Sequence, residues 1–235
     1  MKTLLFCTGY STSDLEWEKR WRRWYNHHKQ VGLQFDQLLI VDDGSPELPG
    51  WSDTRVIYDL DRPWFANKDI VIYRYEDNLG IDSGAFSVPG LYRGFQTASR
   101  YMQEYGFDKL LNIESDSYIL SKRMIEYINN IDNSWTAFWE PKFKVPELGI
   151  NIAAGAGLTK WFNTTNKNYS EYNGLMLEEE FDFDHVEKGF VGERYGERCQ
   201  VLPSGIDYAC QIGQDWDDIY TKHLDKKRNY TYNRT

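Results

Sequence analysis

Apolar positions along the chain fall into short runs closed by polar turn formers. Residues 2–7 read as a buried strand that stops at Thr8-Gly9-Tyr10. Ser13 then caps a helix, with Glu16 three residues on as its capping-box partner. Trp17, Trp21 and Trp24 follow at i, i+4 and i+7, a core stripe on one helical face. Residues 37–41 form a second apolar strand, halted by Asp42-Asp43-Gly44-Ser45-Pro46. Residues 55–58 and 69–74 are further strands. A helix over 91–105 carries Leu91, Phe95, Ala98, Met102 and Tyr105 on one side. Residues 109–113 make another apolar strand, ending in Glu114-Ser115-Asp116, and a helix covers about 122–130.

Strand, loop and helix thus alternate through the first half. That pattern predicts an α/β fold: an open, mostly parallel central sheet with helices on both faces. Ligands of such sheets sit beyond the carboxyl ends of the strands. The polar clusters at 8–11, 42–45, 78–84 and 114–116 all follow strands and are expected to meet at one edge. The second half is less regular. Residues 135–139 look like a strand, 149–158 are a small-residue segment suited to close backbone approach, 172–184 are acidic and 198–202 read as a strand. The charged tail from Asp215 is expected to be helical before it frays. One domain is expected, with a nucleotide-binding half at 1–120 and an acceptor-binding half at 121–235.

Composition changes this picture in three places. Aromatics make up 16% of the 235 residues, with nine Trp and 17 Tyr. The surplus serves either an aromatic core or exposed rings that stack on sugars and bases. The net charge of −9 argues against nucleic acid as a partner, since a phosphate-tracking surface needs clustered cations. The cluster Lys19, Arg20, Arg22, Arg23, His27, His28 and Lys29 lies on the first helix and is expected to be a solvated face. Cys7, Cys199 and Cys210 are odd in number and not spaced as a metal site, which fits free thiols in a reducing compartment. The apolar run near the N-terminus is too short for a signal peptide or a transmembrane segment, so a cytoplasmic location is expected. The sequons at Asn163, Asn168, Asn229 and Asn233 then carry little meaning.

Three motifs bear chemistry, and each alone is equally a turn. Glu114 and Asp116, two residues apart at a strand end, point the same way if the backbone stays extended. A hard divalent cation facing diphosphate oxygens takes one or two such ligands from protein. Asp42 and Asp43 at the end of the second strand can accept from a ribose hydroxyl or a base N–H, with Gly44 clearing the pocket. The run Asn78-Leu79-Gly80-Ile81-Asp82-Ser83-Gly84-Ala85 has glycines that permit a tight backbone, and Asp82 suits a hydroxyl.

Taken in order and spacing, these motifs resemble the GT-A fold glycosyltransferases, family 2-like, over roughly residues 1–120. The Asn-Leu-Gly-Ile-Asp-Ser-Gly-Ala form is most similar to rhamnosyl and capsule-type transferases, with a further likeness to glycosyltransferase domains of large algal viruses. The resemblance implies a nucleotide-diphosphate sugar donor, a UDP-sugar by preference, a glycan acceptor and a Mn²⁺ or Mg²⁺ ion. It implies that Thr8, Gly9, Tyr10, Asp42, Asp43, Asn78, Asp82 and Glu114 line the donor site, with Asp43 at the base or ribose. Glu114 and Asp116 would stand in for the family's acid-x-acid, Asp116 as the better metal ligand, because Glu departs from the usual Asp. The catalytic base would come from the acidic stretch at 178–185, with Glu179, Glu180 and Asp182 as candidates and His185 as a late metal ligand.

Two other functions share parts of this pattern. A nucleotidyltransferase also pairs an α/β sheet with carboxylates and Mg²⁺, but the usual Gly-rich activation loop with a following basic residue is not found near the N-terminus. A non-catalytic carbohydrate-binding module would use the aromatic surplus, but such modules are usually all-β.

Overall fold

A computed structural model describes residues 1–58, 68–79, 88–166, 177–194 and 205–212, without the side chains of Glu179 and Glu180. Asp82, Cys199, the expected strand at 198–202 and the tail lie outside the described residues.

The strands of the first half are β1 (Thr3–Gly9), β2 (Gln37–Asp42), β3 (Thr54–Ile57), β4 (Ile70–Arg74) and β5 (Lys109–Ile113). After them come β6 (Tyr118–Ile119), β7 (Trp135–Glu140), β8 (Val145–Ala154), β9 (His185–Glu187), β10 (Gly192–Arg194) and β11 (Tyr208–Cys210). The central sheet has eight strands in the order β3-β4-β2-β1-β5-β8-β7-β9. β3, β4, β2, β1 and β5 pair in parallel, while β8 pairs antiparallel with both β5 and β7. A smaller sheet runs β10-β11-β6.

Alternation along the parallel strands feeds two cores. Leu5, Cys7, Leu38 and Ile40 face one side with Trp17, Trp21 and Trp24. Leu4, Phe6, Leu39 and Val41 face the other with Phe95, Ala98 and Met102 of the Val88–Tyr105 helix. The three tryptophans are buried as the helical spacing requires. Among the described residues the aromatic surplus goes largely inward: Trp135, Trp161, Tyr101 and Tyr208 are fully enclosed as well.

The first helix departs from expectation in two ways. Ser13 does cap it, accepting from Glu16 N at 3.3 Å. The Glu16 carboxylate returns to Thr12 N at 2.6 Å and also takes a backbone bond from Ser13, so the box closes over two residues. The helix also widens into a π turn over Glu18–Arg22 before resuming at Arg23–Gln30. Nor is its basic cluster a solvated face. His27 and His28 are buried, and Arg22 grips Asp53 with contacts of 2.8 and 3.0 Å. Only Lys19 and Lys29 of the cluster are exposed.

The small-residue segment at 149–158 is divided between two elements. Its first part belongs to β8, and after Gly155 it enters the Ala156–Thr165 helix. Gly155 sits at φ 52°, a left-handed backbone that disfavours a side chain. On β8, Ala137 pairs with Asn151 but Phe138 pairs with Glu147, so Leu148, Gly149 and Ile150 fall between register positions. Such a bulge re-aims the side chains beside it. Here it turns Glu147, Leu148 and Gly149 toward the carboxyl edge of β5. Among the described residues no helix is long and apolar enough to cross a membrane.

Candidate active site

The register aligns the carboxyl ends of the parallel strands. Gly9 of β1 lies beside Asp42 of β2, and Asp42 beside Arg74 of β4. β5 ends next to β1 and delivers Glu114, Ser115 and Asp116 to the same edge. A cleft of about 500 Å³ opens there. Thr8, Gly9, Tyr10, Asp43, Asn78, Glu114 and Asp116 all line it. Three of the four polar clusters picked from the sequence therefore meet with Asn78, the first residue of the fourth; Asp82 is outside the described residues.

The first helix is tied to this edge through indole N–H groups. Trp21 Nε1 donates to Thr8 O at 3.2 Å and Trp24 Nε1 to Ser117 O at 3.0 Å. Trp17 Nε1 donates to Glu47 O at 2.8 Å. The core stripe thus also fixes the turns that carry the polar groups.

Of the adjacent acids Asp42 and Asp43, the structure separates the roles. Asp42 is fully buried and closes the turn, accepting from Ser45 N at 3.3 and 3.2 Å and from Ser45 Oγ. Burial pushes its carboxyl up to about 6, against the Ser45 hydrogen bonds. It does not line the cleft. Asp43 does, with its carboxylate held by the Arg93 guanidinium, which also bonds Asp77 Oδ1 at 2.8 Å. Gly90 permits that placement, since a Cβ there would lie 2.7 Å from Asp43 Oδ2. We expect Asp43→Asn to cost about 1–3 kcal/mol of stability through the weakened Arg93 bond and to weaken UDP binding about tenfold. Urea unfolding and calorimetric titration check the two effects separately. Unchanged UDP affinity would reduce Asp43 to a partner of Arg93.

At the end of β5, Glu114 Oε2 accepts from Thr8 Oγ1 at 3.0 Å, and Oε1 is buried without a hydrogen-bond partner. Burial, and then the Asp116 charge, push the Glu114 carboxyl up to about 7. Asp116 is a quarter exposed and lies 3.5 Å from an Arg20 Nη. Among the described residues no group of three or more His, Cys, Asp and Glu is placed to hold a metal by itself. A divalent ion shared with phosphates needs only one or two carboxylates. The orphaned Glu114 oxygen beside Asp116 fits that smaller donor set.

The opposite wall was not legible from the motifs. Glu147 of β8 is buried, with Oε1 accepting from Gly149 N at 2.8 Å and Oε2 lacking a hydrogen bond. Arg194 Nε lies 3.5 Å from that Oε2, and Arg194 Nη2 reaches Glu178 Oε1 at 2.5 Å. With its amide oxygen assigned toward the guanidinium, Gln211 accepts from Arg194 at 3.0 and 3.1 Å. Gln211 holds φ at 56°, a left-handed backbone that costs a non-glycine residue about 1–3 kcal/mol. Burial pushes the Glu147 carboxyl up to about 7, against the pull of Arg194.

Of the acidic stretch at 178–185, Glu178 lines the cleft. Asp182 is exposed and pairs with Lys160 at 3.1 Å, and it does not line the cleft. His185 is exposed on β9, 3.2 Å from Glu187, and is likewise absent from the lining. The side chains of Glu179 and Glu180 are outside the described residues.

Solved structures share this architecture. The galactosyltransferase LgtC, in complex with donor and acceptor sugar analogues, matches over 95% of this chain and 95% of its own, at 10% identity and TM-score 0.53. The fold is of the GT-A type. An active-site mutant of LgtC matches over 95% of both chains at 11% identity and TM-score 0.50. A glycosyltransferase involved in glycosylation of the major capsid of PBCV-1 aligns with 96% of this chain and 100% of its own, at 9% identity and TM-score 0.49. No protein-family model and no curated protein matches the sequence. The GT-A architecture accounts for the parallel strands that end at the cleft and for the reversed strand β8 on its far side.

Proposed function

We propose that the chain is a glycosyltransferase. In this reading it moves a hexose or a deoxyhexose such as rhamnose from a nucleotide-diphosphate donor, a UDP-sugar by preference, to a glycan acceptor, with Mn²⁺ or Mg²⁺ bound. The observation that carries it is the convergence of Thr8, Asp43, Asn78, Glu114 and Asp116 on one cleft at the carboxyl edge of a GT-A sheet. Asp43 and Asn78 take the nucleoside end. Asp116 would hold the ion with Glu114 supporting it from behind, and the ion when bound would supply Lewis-acid neutralisation of the diphosphate.

The transferred sugar faces the Glu147–Arg194–Glu178 wall. Its carboxylates and guanidinium suit a ligand dense in hydroxyls, because each hydroxyl both donates and accepts. Either Glu147 or Glu178 is better placed than Asp182 to take a proton from an acceptor hydroxyl.

A thermal-shift panel of nucleoside diphosphates and nucleotide sugars, with and without Mn²⁺, tests the proposal. UDP is expected to stabilise the protein, more strongly with Mn²⁺, by about 2.7 kcal/mol at a hundredfold excess over Kd. No shift with any nucleotide at millimolar concentration would remove the donor site. Release of pyrophosphate in place of free nucleoside diphosphate would favour a nucleotidyltransferase.

A further inference from the structure

The acidic end of the cleft already contains a cation. Arg20 lines it, a quarter exposed, with Nε donating to Ser115 Oγ at 2.8 Å. One Nη lies 3.5 Å from Asp116 Oδ2, longer than the 2.7–2.9 Å of a close charge-assisted hydrogen bond. The guanidinium also leans over the Trp21 ring at 5.1 Å. The buried Glu114 carboxyl and Cys7 thiol also feel its charge.

The backbone beneath Arg20 is irregular. Arg20 sits in the middle of the π turn, Glu18–Arg22, a form that is rare and clusters at functional positions. Trp17 and Trp21 on either side are buried and bonded to Glu47 O and Thr8 O. The turn is therefore held against the edge where β1 and β5 end. Neighbouring arginines are engaged differently. Arg22 closes two short contacts with Asp53. Arg93 bridges Asp43 and Asp77. Arg194 is enclosed by Glu147, Glu178 and Gln211. Arg20 combines a pinned Nε with Nη groups at the open cleft, and a planar fork matches phosphate oxygens.

We propose that Arg20 binds the diphosphate of the nucleotide directly, and does so without a metal ion. The inference rests on the donor reading above and adds to it a protein cation. It makes UDP affinity in the absence of metal a property of one side chain.

Calorimetric titration of UDP and of uridine in EDTA, on the parent, Arg20→Gln and Arg20→Lys, tests this. The parent is expected to bind UDP more tightly than uridine. Arg20→Gln should weaken UDP about tenfold to a hundredfold, the usual range for hydrogen bonds to a charged group, and leave uridine unchanged. Arg20→Lys should recover part of the loss, as a point charge without the fork. Unfolding midpoints of all three proteins establish that they are folded. If Arg20→Gln binds UDP as the parent does, Arg20 only braces Ser115 and Asp116, and the proposal is wrong. An equal loss for uridine, or a parent that does not prefer UDP in EDTA, overturns it as well. A parent that binds UDP neither in EDTA nor with Mn²⁺ overturns the donor reading itself.

Discussion

Asp116→Asn is expected to lower the initial rate of UDP release by more than about a hundredfold, while Glu114→Gln stays within the 10–100-fold range of groups that support a metal ligand. The geometry gives the reason. Asp116 opens to the cleft, whereas Glu114 is anchored to Thr8 and its other oxygen is enclosed. An amide at 116 keeps the shape and leaves the Arg20–Ser115 bond in place, but it removes the anion that an ion facing a diphosphate needs for charge balance. At 114 an amide can still accept from Thr8, so the strand end should hold its form. The measurement is the rate of UDP release against Mn²⁺ concentration, using the donor that the thermal-shift panel selects. Equal losses would give the two acids equal shares. A larger loss for Glu114→Gln would reverse their roles, and full activity in both would place the chemistry elsewhere.

Local signals carried the first half of the fold. β5 and the Lys122–Asn130 helix fall where the pattern puts them, because their apolar spacing needs no distant partner. The strand ends then set the cleft, since parallel pairing brings 8–10, 43 and 114–116 together without further information. Local signals fail where tertiary contact decides. Two adjacent acids on an extended backbone point opposite ways, so spacing could not say that Asp42 would turn to Ser45 and Asp43 to the cleft. β8 was obscured by Pro146 and Gly149, which break the alternation around the bulge, and that bulge carries Glu147. Arg194 meets Glu178, and Gln211 meets Arg194, only in the folded chain. Arg20 looked like a surface cation because a regular helical period does not include the π turn. The Glu-rich stretch brings Glu178 to the cleft, while the described Asp182 turns to Lys160, a choice that composition does not make.

Arg194→Met is expected to destabilise the protein by about 3–5 kcal/mol at pH 8, the cost of leaving a buried ion pair without one partner. Glu147 and Glu178 would both remain, buried and facing each other. The loss should shrink as the pH falls, and its sign follows from Glu147. Burial raises the folded carboxyl from 4.5 to about 7. Between these values the native state binds more protons than the unfolded chain, so stability falls as pH rises through that window. Arg194 opposes the rise, being the largest influence that lowers the Glu147 value. Without it the carboxyl moves higher still, the window extends above pH 7, and protonation at low pH relieves the unpaired charge. Urea unfolding at pH 5.5 and 8 should therefore show a much smaller difference between parent and variant at the lower pH. Arg194→Lys keeps the charge but lacks the fork that reaches Glu147 and Glu178 together, and should fall between the two. A loss independent of pH would mean that Arg194 stabilises by packing alone, and that the charges of this wall are not what the guanidinium holds.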